Sequence, residues 1–282
     1  MQRRKLEELN LIDDFLLYHM VSHPEFGEEF TRDLLRIILG KEVGKLTIIP
    51  QKVYYGTDTD KHGARLDVYI EEEAPQDATI FDLEPEREEK EISLKSLPRR
   101  ARFYHSKIDA SSLQAGVDYQ VLKNVIVIFI MPKDPFGANR MVYTIQKGCV
   151  ELPEFPYDDG AKTMFLYTKG TEGNIKEELR ELLQYMEKSC EENAKSEMLK
   201  KIHQMTNRIK SDREVSIEYM KIYEREQMIK NSGIAQGHKE EATRNAHNFF
   251  VNGVSYEIVR ASIPLLTDEE LQEIYESVNK EA

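Results

Sequence analysis

A chain of 282 residues, 40% of them hydrophobic, carries enough apolar surface for one large globular domain, or one domain with an appendage, and this excludes a disordered chain. Its 51 acidic and 39 basic residues leave a formal net charge of −12, which excludes adhesion to nucleic acid by the whole surface, because neutralising phosphates takes clustered lysine and arginine. No stretch approaches the ~20 apolar residues of a membrane span, and Met1 to Asn10 has no apolar core of a signal peptide, so a cytoplasmic protein without membrane contact is expected.

From about Leu6 to Leu39 apolar residues recur at helical spacing: Leu9, Ile12, Phe15 and Leu16, then Phe26, Phe30, Leu34, Leu35 and Ile38. His23-Pro24 predicts a loop between two helices, and Gly40 a C-cap. Short extended runs follow at Leu46 to Ile49 and Val53 to Tyr55, before a Gly-Thr-Asp-Thr-Asp loop at 56 to 60. The segment Ala64 to Ile70 alternates, with Arg65, Asp67 and Tyr69 on one face and Leu66, Val68 and Ile70 on the other. After a turn at 73 to 77, Thr79 to Glu84 alternates too, placing Ile80, Asp82 and Glu84 opposite Phe81 and Leu83. These two runs predict a strand pair carrying acids.

Beyond the charged loop Arg87 to Glu91, Pro98 fits the first turn of a helix running toward Ile108, since its missing N–H costs nothing there. That region holds the chain's basic patch, Lys95, Arg99, Arg100, Arg102 and Lys107, which is either a phosphate-contacting face or a solvated one. Val125 to Met131 is a continuous β-branched apolar run, the pattern of a strand buried on both faces. A further strand pair is predicted at Met141 to Ile145 and Met164 to Thr168. The order of strands around one helix suggests an α/β sandwich.

From Ile175 to about Phe250 the pattern is helical and strongly charged, without regular heptads. A small helical hairpin closes the chain, with Ser255 as one cap and Thr267 with Glu270 as a capping box. A helix-turn-helix reading of this hairpin meets a final helix bearing Asp268, Glu269, Glu270, Glu273 and Glu276, which repels phosphate, so a structural or protein-binding element is the alternative. The expected division is a domain at 1–190, a charged helical linker at 191–250 and the hairpin at 251–282, with self-association through the helical C-terminal region. Cys149 and Cys190 have no metal or disulfide spacing, and the seven histidines show none of the spacings of ligands.

Phosphodiester hydrolysis needs a nucleophilic water and a neutralised leaving oxygen, and a carboxylate-held Mg²⁺ supplies both. Asp67 and Glu84, 17 positions apart on adjacent extended runs, either converge on such a cation or merely meet solvent.

Ala-Arg-Leu-Asp-Val-Tyr-Ile at 64 to 70, with Phe-Asp-Leu-Glu-Pro-Glu at 81 to 86, resembles the paired catalytic strands of the Rpn family of recombination-promoting nucleases and transposases, in the PD-(D/E)XK superfamily. The similarity extends to Leu-Pro-Arg-Arg-Ala-Arg-Phe-Tyr-His-Ser-Lys-Ile-Asp at 97 to 109, to Asp134-Pro135-Phe136-Gly137, and to Asp13-Asp14-Phe15-Leu16 and Leu34 to Gly40. It covers most of residues 5 to 190 in order. It implies a restriction-endonuclease-like α/β fold, a mixed sheet flanked by helices with a helical C-terminal extension. Asp67 and Glu84 would hold Mg²⁺ or Mn²⁺, Glu86 would take the third catalytic position, and Arg65, Arg99, Arg100 and Arg102 would contact DNA, with an acid as the alternative partner of Arg65. The superfamily usually has Lys at the third position, and this family often Gln. Glu86 is neither a cation nor an amide donor, and Pro85 fits an edge or bulged strand better than a central one. The resemblance thus implies a metal-dependent DNA endonuclease serving recombination or transposition. The alternatives are an impaired nuclease-fold protein that binds DNA or protein, and a scaffold with no nucleic-acid role.

Overall fold

The computed structural model describes residues 4–55, 63–73, 78–86 and 96–281. The loops expected at 56 to 60 and 87 to 91, most of the turn at 73 to 77, and Lys95 of the basic patch lie outside them. The chain forms two compact units, Met1–Ser216 and Ile217–Ala282.

The first unit runs α1 (Asp14–Val21), α2 (Gly27–Leu39), β1 (Lys45–Tyr54), β2 (Ala64–Glu73), β3 (Thr79–Pro85), α3 (Leu97–Ser112), β4 (Asn124–Met131), β5 (Val142–Ile145), β6 (Ala161–Tyr167), α4 (Glu177–Glu187) and α5 (Glu197–Lys210). Its strands form one six-stranded sheet in the order β1-β2-β3-β4-β6-β5. β1, β2 and β3 pair antiparallel, β3 and β4 parallel, β4 and β6 parallel, and β5 returns antiparallel on β6. This is the mixed α/β sheet flanked by helices that the resemblance implies.

The parallel step from β3 to β4 needs a crossover, and α3 provides it. Pro98 sits in the first turn of α3, and Leu97, Ala101 and Ile108 join a core with Tyr69, Ile80, Val125, Val127, Phe129 and Phe165. β4 is central and apolar because both of its faces are covered. On β1 and β2 lie α1 and α2, and α5 packs on α1. That last contact carries the first unit beyond residue 190, the boundary expected from the sequence.

The two short runs expected at 46 to 49 and 53 to 55 are one strand, β1. Gln51, in the left-handed region at φ 52, drops out of the ladder between Pro50↔Val68 and Lys52↔Leu66 without changing the register. Gly40 caps α2 at φ 65, as predicted. Gly27, the first residue of α2, has no room for a side chain, since a Cβ would stand 2.4 Å from the Val21 carbonyl oxygen. Gly27→Ala must push the start of α2 off the end of α1, and urea denaturation is expected to show a loss of about 1–3 kcal/mol.

Pro85 contradicts the expectation of an edge or bulged strand, because β3 is central. The reason is local. Pairing of β3 with β2 ends at Leu83↔Val68, whereas pairing with β4 continues to Pro85↔Ile130 and the Glu86 N–H donates to the Ile130 carbonyl at 2.7 Å. Alternate N–H groups point to opposite sides, so the donor that proline lacks would face β2 where the ladder has already stopped.

In the second unit, Ala242, Ala246 and Phe250 of α6 (Arg213–Val251) share a small core with Val259 and Ile263, from α7 (Tyr256–Ser262) and its end, with Leu266, and with Leu271 of α8 (Asp268–Glu281). The expected capping box forms: the Glu270 N–H donates to Thr267 Oγ1 at 3.2 Å, and the Thr267 N–H to a Glu270 oxygen at 2.9 Å. Residues from 217 onward belong with the hairpin in one unit, so the linker and hairpin expected as separate parts share a core. Among the described residues no helix is long and apolar enough to cross a membrane.

Candidate active site

The site grows out of the β2–β3 register. Val68 pairs with Leu83 and Tyr69 with Asp82, so one step further Asp67 stands opposite Glu84; Leu66 and Tyr69 on either side of it both join the core under α3, so the alternation expected from Leu66 through Val68 breaks at Asp67. The ladder is replaced there by a side chain: the Asp67 N–H donates to Glu84 Oε1 at 3.0 Å. On its other flank Asp67 lies across from Gln51, the left-handed residue that β1 leaves unpaired. Asp67 therefore occupies a short gap in the sheet, where its carboxyl keeps partial access to solvent while Glu84 is 1% exposed.

Glu84 is held from above. Arg100 Nη2 donates to Glu84 Oε2 at 2.9 Å and forms a close ion pair with Glu86, while its Nε–H donates to the Tyr104 hydroxyl at 3.0 Å. The guanidinium carbon lies 5.3 Å from the Tyr104 ring centre and 5.2 Å from that of Phe129, within reach of both π faces. Positions 100 and 104 are one helical turn apart, so α3 presents arginine and phenol on the same stripe. The resemblance implies phosphate as the partner of Arg100; here it is folded onto the acids.

Two acids that the sequence patterns did not single out complete the cluster. Asp82 follows Glu84 down the same face of β3, is fully buried, and finds no hydrogen-bond donor for either oxygen among the described residues. Alternation places it on that face; what the sequence could not show is that no described residue donates to it. Asp14, first residue of α1, is brought close by tertiary packing, and no local pattern announces it.

Crowded, poorly solvated carboxyls resist ionisation. Burial, then the charge of Glu84, pushes Asp67 up to about 7 against the pull of Arg65 and Arg100. Burial, then the charges of Asp67, Glu86 and Asp13, pushes Asp14 up to about 7. Asp82 is raised well above the usual carboxylate range by burial and then by Glu84. Burial also raises Glu84, although the Asp67 N–H and Arg100 oppose it.

Of the predicted residues, the structure gathers Asp67, Glu84, Glu86 and Arg100. Arg65 is exposed on β2, and its charge reaches Asp67. Arg99 and Arg102 are exposed on α3 and do not enter the cluster. Tyr104 packs near Phe129 with ring centres 6.3 Å apart and lends its hydroxyl to Arg100.

The donor set suits a hard divalent cation: carboxylate oxygens, two of them on a buried Asp82 that has no proton donor facing it. Among the described residues no group of three or more His, Cys, Asp or Glu side chains is placed to hold a metal ion. Mg²⁺ does not ask for one, since it keeps several waters and binds through one or two carboxylates plus substrate phosphate.

A family model described as PD-(D/E)XK nuclease family transposase matches residues 11–156. The chain belongs to this family. The matched span contains Asp14, Asp67, Asp82, Glu84, Glu86 and Arg100, so the whole cluster lies in the family's own part of the fold, and α4 onward lies beyond it. The restriction-endonuclease-like α/β architecture follows from family and sheet together. A search of curated proteins and one of solved structures found no match.

Proposed function

We propose that the protein is a divalent-metal-dependent DNA endonuclease, acting in recombination or transposition within the cytoplasm. The observation that carries this reading is the placement of Asp67 opposite Glu84 at the point where the β2–β3 ladder stops, with the buried, donor-less Asp82 beside them. Asp67 and Glu84 would hold the cation, Mg²⁺ or Mn²⁺, which when bound supplies charge neutralisation at the phosphate and activation of a water.

This chain's residues do the rest. Asp67, which burial and the charge of Glu84 push up to about 7 in the metal-free chain, would give up its proton as the cation binds, and the proton shed by the attacking water ends on the departing oxygen. The water oxygen forms a bond to phosphorus as one P–O ester bond breaks, and the departing oxygen leaves with a proton. Glu84, fixed by the Asp67 amide and Arg100, cannot rotate out of place. The exposed Arg65, Arg99 and Arg102 would contact the phosphate backbone locally, as a chain with a net charge of −12 requires. The second unit carries the proposed self-association.

The test is incubation of the purified full chain with supercoiled plasmid in Mg²⁺ or Mn²⁺ across pH 6 to 9. Nicking or linearisation that EDTA stops is expected; protein that binds metal and DNA but never cuts rules the reading out. Glu86 at the third motif position favours one alternative, a nuclease fold retained for binding alone. Under that alternative Glu86→Gln creates or sharply raises cleavage.

A further inference from the structure

Among the described residues the chain places five carboxyl groups in this cluster, Asp14, Asp67, Asp82, Glu84 and Glu86, and the charges that reach in against them are those of Arg100 and Arg65. A phosphodiester is itself an anion, so an all-acid pocket repels its substrate unless the protein also offers a cation. The strand position that normally offers a Lys or Gln is Glu86, which adds to the repulsion.

Arg100 reaches the same place from another direction. It descends from α3 and sits between Glu84 and Glu86, braced by the Tyr104 hydroxyl and flanked by the Tyr104 and Phe129 rings. Its side chain keeps 31% of its surface exposed while the Glu84 beneath it keeps 1%, so the guanidinium is the part of the ion pair that meets the outside. Nη2 and Nε make these three contacts, leaving the two N–H groups of Nη1 uninvolved in them. These two N–H groups diverge from one nitrogen, so each can reach a phosphate oxygen as a charge-assisted donor.

We propose that Arg100 is the cationic group the third motif position lacks, presented to the scissile phosphate from helix α3, and that Glu86 is a positioning residue that holds it there. This rests on the nuclease reading above. The departure at Glu86 then has a purpose: a carboxylate on the strand is the partner an arginine on the helix needs. It also means that Arg100 and a bound divalent cation share Glu84, so the two positive charges compete for it.

The experiment compares the full-length wild type with Arg100→Ala, Arg100→Lys, Glu86→Gln and the double variant Arg100→Ala/Glu86→Lys. Ca²⁺ binding is measured by calorimetry at pH 8, where no turnover interferes, and plasmid cleavage in Mn²⁺. Removing the competing charge is expected to tighten Ca²⁺ binding by Arg100→Ala at least about fivefold. The same variant should lower kcat about 10²-fold or more with little change in KM. Arg100→Lys should keep part of the rate, Glu86→Gln should lower kcat with Ca²⁺ affinity within about twofold of wild type, and Glu86→Lys should restore about tenfold or more to Arg100→Ala. A merely structural arginine paired with Glu84 would also tighten Ca²⁺ binding when removed, but it would give no rescue by Glu86→Lys. Should Arg100→Ala not fold, Arg100→Lys and Glu86→Gln still decide. Unchanged kcat in both, or faster cleavage by Glu86→Gln, overturns the proposal, as does a double variant no faster than Arg100→Ala. A wild type that binds Ca²⁺ and cuts while the variants fail these expectations sinks only this proposal; a wild type that never cuts sinks the nuclease reading and takes this one with it.

Discussion

Asp67→Asn and Glu84→Gln are each expected to lower Mg²⁺-dependent plasmid cleavage by about 10³-fold or more, which corresponds to at least about 4 kcal/mol of transition-state stabilisation. Both changes conserve shape. Asp67→Asn keeps the backbone N–H that Glu84 Oε1 accepts, and Glu84→Gln keeps an oxygen for that N–H, so the loss falls on charge rather than on the fold. The two variants differ in one respect. Glu84→Gln leaves Arg100 with Glu86 as its remaining carboxylate partner under partial burial, so it should also weaken the fold by about 1–3 kcal/mol, whereas Asp67→Asn relieves crowding among acids. Initial-rate assays on supercoiled plasmid, with circular dichroism as the check on folding, decide it. Retention of more than about a tenth of wild-type rate by both would remove these carboxyls from the chemistry.

In EDTA, Asp67→Asn is expected to become progressively more stable than wild type as pH rises from about 4 to 8. The Asp67 carboxyl, ordinarily at 3.8, lies at about 7 in the folded chain, and Asp14 at about 7 likewise. Between those values the folded protein holds protons that the unfolded chain has released, so unfolding releases protons and stability falls as pH rises through the window. The asparagine side chain does not titrate, and the variant escapes its share of that loss, on the order of 2 kcal/mol at pH 8 once coupling to Glu84 and partial solvation are allowed for. Urea denaturation of both proteins at pH 4, 6 and 8 reads the difference directly. Millimolar Mg²⁺ or Mn²⁺ should reverse the ranking at pH 8, because the cation stabilises only the chain that binds it. A difference that stays flat across the series would mean that Asp67 ionises as freely folded as unfolded.

Much of the sheet was legible because its strands obey simple patterns. Alternation in 64 to 70 and 79 to 84 marked a strand pair carrying acids, although it breaks at Asp67, and the unbroken apolar run at 125 to 131 marked a strand covered on both sides. Asp67 and Glu84 followed from those patterns plus resemblance. Other features depend on contacts between distant segments. Asp14 enters the cluster because α1 packs on β2, which no local periodicity encodes. Asp82 alternates visibly with Glu84, yet its lack of a hydrogen-bond donor emerges only when its surroundings are assembled. Arg100 carries the right charge in a visible basic patch, but of three nearby arginines helical phase and the depth of β3 decide which turns inward. Pro50 flags the break in β1 at Gln51, but nothing local shows that the strand resumes in the same register.

The amide of Asp67 bonds to a side chain, Glu84 Oε1, rather than to a neighbouring strand. Its proton is therefore a native spectroscopic reporter sitting on the oxygen of a proposed metal ligand: titrating or occupying Glu84 alters that bond and shifts a single backbone resonance, without any introduced label. Hydrogen exchange at this position should likewise follow the state of the carboxylate rather than the opening of the sheet, so the chemistry of the site and the breathing of its scaffold can be followed separately in one spectrum.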